Sequence, residues 1–159
     1  MHPTAQKVAT AAQRLGLDIT IKEFSTSTRT AADAANSIGC TVAQIVKSLL
    51  FVVNGQPTLV LVSGPNRLDE KKLAALCGVG RKKIKRADAD TVREATGFAI
   101  GGVPPFGHQT KLPTYMDEDF WRFDIIWAAA GTPNAVFAIT PDELARVSDG
   151  MKADLKAES

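Results

Sequence analysis

Two apolar runs rich in β-branched residues flank Asn54-Gly55, and this pairing constrains the fold more than any other feature of the chain. Ile45 to Val53 precede the dipeptide and Thr58 to Ser63 follow it. Asn-Gly suits a tight turn with two positive-φ positions, whose twist matches that of the strands it joins. A long antiparallel hairpin is therefore expected. In a continuous strand Lys47 shares a face with Leu49, Phe51 and Val53, while Val46, Ser48, Leu50 and Val52 take the other. Both faces are largely apolar, which predicts a central strand with a lysine set into it. Desolvating an ammonium costs on the order of several kcal/mol, so Lys47 needs a reason to be there. Two readings are open: it sits at the start of the strand and snorkels to water, or it serves a site.

Around the hairpin, the pattern predicts helices over Thr4 to Leu15, Ala31 to Ile38, Asp69 to Leu76 and Asp88 to Ala95, each stopped by a nearby glycine. Ser27-Thr28-Arg29-Thr30 offers hydroxyl caps for the second of these. Thr140-Pro141-Asp142-Glu143 starts a last helix with a hydroxyl cap, a proline in the first turn and acids behind it. Alternation predicts further strands within Asp18 to Phe24, Phe98 to Ile100, Ile125 to Ala129 and Ala135 to Ile139. A short helical turn is expected from Val42, and a helix start explains the acidic cluster Asp117-Glu118-Asp119. Helices and hairpin-linked strands mix without strict alternation, which points to an α+β fold around a curved, largely antiparallel or mixed sheet.

At 159 residues, with 45% hydrophobic and 23% charged residues, the chain suits one globular domain spanning 1–159 and excludes disorder. No apolar run approaches the roughly 18 residues that span a bilayer, and Met1 to Arg14 has no apolar signal-peptide core. A cytoplasmic protein with no membrane association is expected. Cys40, Cys77, His2 and His108 fit no zinc spacing, so neither a metal nor another cofactor is expected. A nucleophilic pairing of either cysteine with His108 is less economical than two structural thiols. Net charge is only +2, but Arg67, Lys71, Lys72, Arg81, Lys82, Lys83, Lys85 and Arg86 crowd one stretch against Asp69 and Glu70. That block is either a solvated surface or a contact for a polyanion such as a nucleic-acid backbone, with Arg81, Lys82, Lys83, Lys85 and Arg86 the candidate binding residues.

Gly101-Gly102-Val103-Pro104-Pro105-Phe106-Gly107-His108 cannot be the interior of a helix or strand. Its glycines would let bare backbone approach a ligand, or the stretch is simply a tight surface loop. No Gly-x-Ser-x-Gly elbow, phosphate-binding loop or dinucleotide fingerprint occurs. Hydrolysis by this chain would have to work without a conventional triad.

Three segments then occur in order: Gln44-Ile45-Val46-Lys47-Ser48-Leu49-Leu50-Phe51, the loop Gly101 to Gly107, and Ile126-Trp127-Ala128-Ala129-Ala130-Gly131. In this the chain resembles the YbaK / prolyl-tRNA-synthetase-associated editing-domain family of aminoacyl-tRNA deacylases. The resemblance implies a curved, partly barrel-like mixed sheet surrounded by helices, with a cleft between the lysine strand and the glycine-proline loop. It implies that Lys47 holds the terminal adenosine and its phosphate, and that Gly101 or Gly102 brings backbone groups to the scissile ester. It further implies substrate-assisted hydrolysis, without metal, through the ribose hydroxyl or, in the cysteine-specific branch, the substrate's thiol. Thr30, Ser48, Pro104, Pro105, His108 and Gly131 are the candidate substrate-binding residues. The implied substrate is aminoacyl-tRNA, a small amino acid misplaced on tRNA(Pro), edited in trans with a transient synthetase contact.

Two departures stand out. Ser48 replaces the Asn typical of the alanine-specific branch, and Val103 to His108 differs from the Ile-Ser-Pro-Leu-Gly-Gln of the cysteine-specific branch. Neither specificity transfers. A non-catalytic tRNA- or aminoacyl-nucleotide-binding module of the same fold, and a hydrolase of another small ester, are the alternative readings.

Overall fold

A computed structural model describes residues 1–25 and 30–158. Ser27, Thr28 and Arg29, expected to contribute helix caps, lie outside the described residues. The expected hairpin forms the centre. Strands β2 (Val46–Val53) and β3 (Gln56–Ser63) pair antiparallel, with Lys47 opposite Val62 and Val53 opposite Gln56. Asn54 and Gly55 have φ of 50° and 83°, as a type I′ turn requires.

Chain order begins with helix α1 (Pro3–Arg14), strand β1 (Ile21–Glu23) and helix α2 (Ala31–Ile38), then a 3-10 turn over Val42–Gln44 and the hairpin. Helix α3 (Glu70–Cys77), strand β4 (Ile84–Arg86) and helix α4 (Ala89–Thr96) follow. After the glycine-proline loop come strand β5 (Thr114–Asp117), strand β6 (Ile126–Ala129), strand β7 (Ala135–Ile139), helix α5 (Pro141–Ser148) and strand β8 (Met151–Ala153). Five strands make a mixed sheet in the order β4-β2-β3-β5-β8, with β3-β5 and β5-β8 parallel. Three make an antiparallel sheet, β1-β7-β6. The two meet at the parallel bridge between Ile45 and Trp127. Among the described residues they do not close into a barrel.

Local chemistry accounts for the helix ends. Thr30, Asp69, Asp88 and Thr140 each accept a backbone N–H of the first turn through the side chain. Gly39, Gly78 and Gly97 end α2, α3 and α4 in the left-handed region. The core splits across the five-stranded sheet. Val46, Leu50, Leu59, Leu61 and Met116 pack with α1, α4, α5 and the three-stranded sheet. Phe51, Val53, Val60 and Val62 pack with Leu73 and Ala74 of α3 and with Leu155.

Several sequence expectations change. Asp18 to Phe24 shortens to Ile21–Glu23. Phe98 to Ile100 is not a strand: Phe98 is buried, and its N–H donates to Thr96 Oγ1 rather than to a ladder. The basic stretch contains a strand, β4, held at the edge by Phe51, Val52 and Val53. The acidic cluster opens a 3-10 helix, Glu118–Arg122, capped by Asp117.

Candidate active site

Strand β2 is paired on both sides only at its C-terminal end. There β4 runs beside Phe51 to Val53, and the Ala87 N–H donates to the Leu50 carbonyl. Toward Val46, β3 continues on one side, while on the other β6 bridges only at Ile45 and the glycine-proline loop stands off. The gap is a cavity of about 340 Å³. Lys47, Ser48, Arg86, Gly101, Thr30 and Trp127 line it, with small apolar walls from Ala31, Ala34, Ala128, Ala129 and Ala135. On its other flank Lys47 borders an open groove of about 870 Å³ that also receives Arg67, Lys71, Arg81 and Arg86. Lys47 and Arg86 therefore belong to both spaces.

Lys47 is half-buried, and its Nζ donates to the Asn66 carbonyl at 2.5 Å. Burial, and next the positive charge of Arg86, pull its pKa below the ordinary lysine value, against the opposing pull of Asp117. Arg86 stacks 5.8 Å from the Phe51 ring. The sequence groups it with the other four basic residues of its tract. The alternation of β4 instead turns it toward Lys47, while Lys82, Lys83 and Lys85 remain exposed and line neither space. Arg81 borders the groove and pairs with Glu70 at 3.1 Å.

Gly101, with φ of 92°, lines the cavity. Gly102 and Gly131 do not: they pack on each other, and a Cβ on Gly102 would sit 2.5 Å from the Gly131 carbonyl oxygen. A Cβ on Gly131 would in turn meet the Thr4 carbonyl oxygen at 2.8 Å. Pro104 is buried, and Pro105 and His108 line a different cavity, about 820 Å³, between α1 and α5. His108 Nε2 donates to the Pro104 carbonyl at 2.6 Å, which requires the proton on that nitrogen. Burial lowers its pKa, partly offset by that contact. Neither Cys40 nor Cys77 lines the His108 cavity. Ser48 Oγ is the one buried side-chain polar atom without a hydrogen-bond partner among the described residues.

Trp127 lines the cavity and Asn66 contacts Lys47, and neither carries a sequence signal of its own. Trp127 lies in the Ile126 to Gly131 motif and could have been found from it. Asn66 sits in a Ser63-Gly64-Pro65-Asn66 stretch whose composition reads only as a loop. Among the described residues no three His, Cys, Asp or Glu side chains gather as a metal site. None of the described helices is long and apolar enough to cross a membrane.

An α+β fold with a lysine-bearing cleft between a central strand and a glycine-rich loop defines the class, and comparison with known proteins specifies it. The aminoacyl-tRNA editing domain matches residues 25–147, and the chain belongs to that family. A solved structure of a candidate trans-editing enzyme for prolyl tRNA synthetase is 46% identical, covers 99% of both chains and superposes with a TM-score of 0.94. The uncharacterized protein YwhH of Bacillus subtilis (strain 168) is 36% identical over 129 residues, 80% of each chain. The proline--tRNA ligase of Elusimicrobium minutum (strain Pei191) is 30% identical over 149 residues, which are 86% of this chain but 25% of the ligase.

Proposed function

We propose that residues 1–159 act as one editing domain that hydrolyses the ester of mischarged aminoacyl-tRNA in trans. The amino acid removed is small, and the tRNA is tRNA(Pro). The supporting observation is the joint position of Lys47 and Arg86, which border a 340 Å³ cavity with small apolar walls and a basic groove beside it. Two cations at that junction suit a terminal phosphate, and the walls suit a short side chain. In this reading Lys47 holds the terminal nucleotide, and Gly101 offers backbone close to the ester. The vicinal ribose hydroxyl assists water in attacking the acyl carbon. Water is consumed, and the free amino acid and the deacylated 3′ terminus leave. Positioning and preorganised charge supply the rate without a protein nucleophile. A synthetase separates amino acids differing by one methylene by only about 1–3 kcal/mol, so a second hydrolytic site has work to do. The relatives named for prolyl-tRNA synthetase and proline--tRNA ligase support the choice of tRNA.

The test is deacylation of alanyl-, cysteinyl-, seryl- and 2-aminobutyryl-tRNA(Pro) by wild type and Lys47→Ala. Hydrolysis of at least one by wild type, lost in the variant, is expected. No turnover of any, or turnover that survives Lys47→Ala, would overturn the mechanism and favour a binding module or another esterase.

A further inference from the structure

Behind Lys47 lies a polar cluster that makes no contact with the cavity. Asn66 Nδ2 donates to Asp117 Oδ2 and to Asp119 Oδ2, each at 2.8 Å. The Asn66 N–H donates to the Ser63 carbonyl at 2.9 Å. Asp117 is 1% exposed and also accepts the Ser63 N–H at 3.0 Å and, through Oδ1, the Asp119 N–H at 2.9 Å. Asp119 pairs with Lys156 at 3.3 Å. Asn66 is thus clamped by main chain and side chain alike, and its main-chain carbonyl receives Lys47 Nζ.

We infer that Asn66, fixed by Asp117 and Asp119, is a positioning residue for editing: it anchors the Lys47 ammonium at the cavity mouth while leaving its charge free for substrate. This rests on the deacylase reading of the Lys47 site. A direct carboxylate partner would lock the ammonium in an ion pair and spend the charge that a phosphate or ester must feel. Among the described residues Lys47 has no such pair. The negative charges stand one residue back, with neutral Asn66 between: its main-chain carbonyl accepts from Lys47, and its side-chain amide faces the acids. That amide is well matched to the position, because it donates to both acids at once and adds no charge of its own.

The electrostatics agree. Burial and Arg86 of β4 work against the charged lysine, and Asp117 of β5 works for it. The groove beyond presents Arg67, Lys71 and Arg81 against Asp69, Glu70 and Glu158, equal numbers of each sign. Asp117 is therefore the charge that opposes the downward pull of burial and Arg86 on Lys47.

Two readouts test this on the full chain. Steady-state deacylation is measured against pH for wild type, Asn66→Ala and Asp117→Asn, with melting temperatures in parallel. In the same proteins the Lys47 ammonium is titrated by NMR of ¹³C-labelled lysine Cε, assigned with Lys47→Arg. Asn66→Ala is expected to lower kcat by roughly 10-fold or more, as small misplacements of a catalytic group do, with KM for tRNA changed less than about 3-fold. Asp117→Asn keeps the size of the side chain and should move both the alkaline limb of kcat and the NMR midpoint to lower pH. Losses uniform across pH that track the melting temperature, with an unmoved NMR midpoint, would overturn the inference and leave the cluster a structural clamp. If wild type deacylates nothing, the deacylase reading fails alone, and the NMR midpoints still decide whether Asn66 and Asp117 govern Lys47.

Discussion

The two halves of β2 are built from the same kind of sequence and end in opposite circumstances. From Phe51 to Val53 the strand has β3 on one side and β4 on the other, and its side chains complete two cores. From Val46 to Leu49 only β3 pairs with it, and the free side faces the 340 Å³ cavity. Backbone left without a ladder partner gives room for a ligand. The strand teaches that the site is made by stopping the sheet early, not by adding a separate feature to it.

The largest expected effects set the halves against each other. Phe51→Ala should cost about 3–5 kcal/mol of stability, the usual range for a buried aromatic, read as a lower urea midpoint. Lys47→Ala should leave that midpoint nearly in place and cut deacylation by about 10²–10³, the scale of removing one preorganised electrostatic group. Equal stability losses in both would erase the contrast.

Next comes the wall opposite the open half. Gly102→Ala forces a methyl group against the Gly131 carbonyl oxygen, 2.5 Å from the Cβ position. About 1–3 kcal/mol of destabilisation is expected, as for overpacked sites. Deacylation should fall with it, because Gly101 next door lines the cavity. An unchanged midpoint would mean that the loop relaxes freely.

A smaller effect separates Arg86 from its neighbours in the basic stretch. Arg86→Ala should raise KM for tRNA and lower the slope of log KM against log salt by about one contact. Lys82→Ala and Lys83→Ala, exposed and outside both spaces, should change either quantity much less. Equal effects for all three would return the stretch to a diffuse electrostatic role.

The smallest effect concerns the far end of the loop. Burial depresses the His108 pKa below its unfolded value. Its contribution to stability is therefore fully present above the unfolded pKa of about 6.5 and is lost as pH falls through the lower folded value. Urea midpoints of wild type at about pH 7.5 and 5.5 should differ more than those of His108→Gln, with deacylation at the higher pH nearly unchanged. A large deacylation loss there would join the α1/α5 cavity to the Lys47 site.

How much of this was legible follows from the physics of each segment. Asn54-Gly55 and the caps at Thr30 and Thr140 act through local chemistry, and each is found where the sequence puts it. Strands β4 and β8 are three residues long and exist because a neighbour offers a ladder, so no periodicity announces them. Phe98 and Ile100 have strand-forming side chains, yet one is buried and the other 58% exposed in a turn, a tertiary outcome that propensity does not carry. Lys47, Ser48, Thr30 and Gly101 line one cavity. In the sequence the loop is one continuous glycine-proline stretch. Gly101 and Gly107, at φ of 92° and 75°, instead turn its ends toward different cavities. Asn66 was invisible because its role depends on two acids more than fifty positions away.

The turn at Asn54-Gly55 lies at the opposite end of the hairpin from Lys47, yet it decides which way that lysine faces. Side chains on a strand alternate, so one residue inserted at the tip without a compensating bulge would slide every pair along. Such a slide would leave Lys47 matched to the wrong partner on β3, or carry it to the side now held by Ser48. Substitutions at the tip are mild by comparison, since they weaken the bend without changing the count. For this chain the length of a solvent-exposed turn is therefore under tighter constraint than its composition, and an altered length would be felt first at the distant lysine.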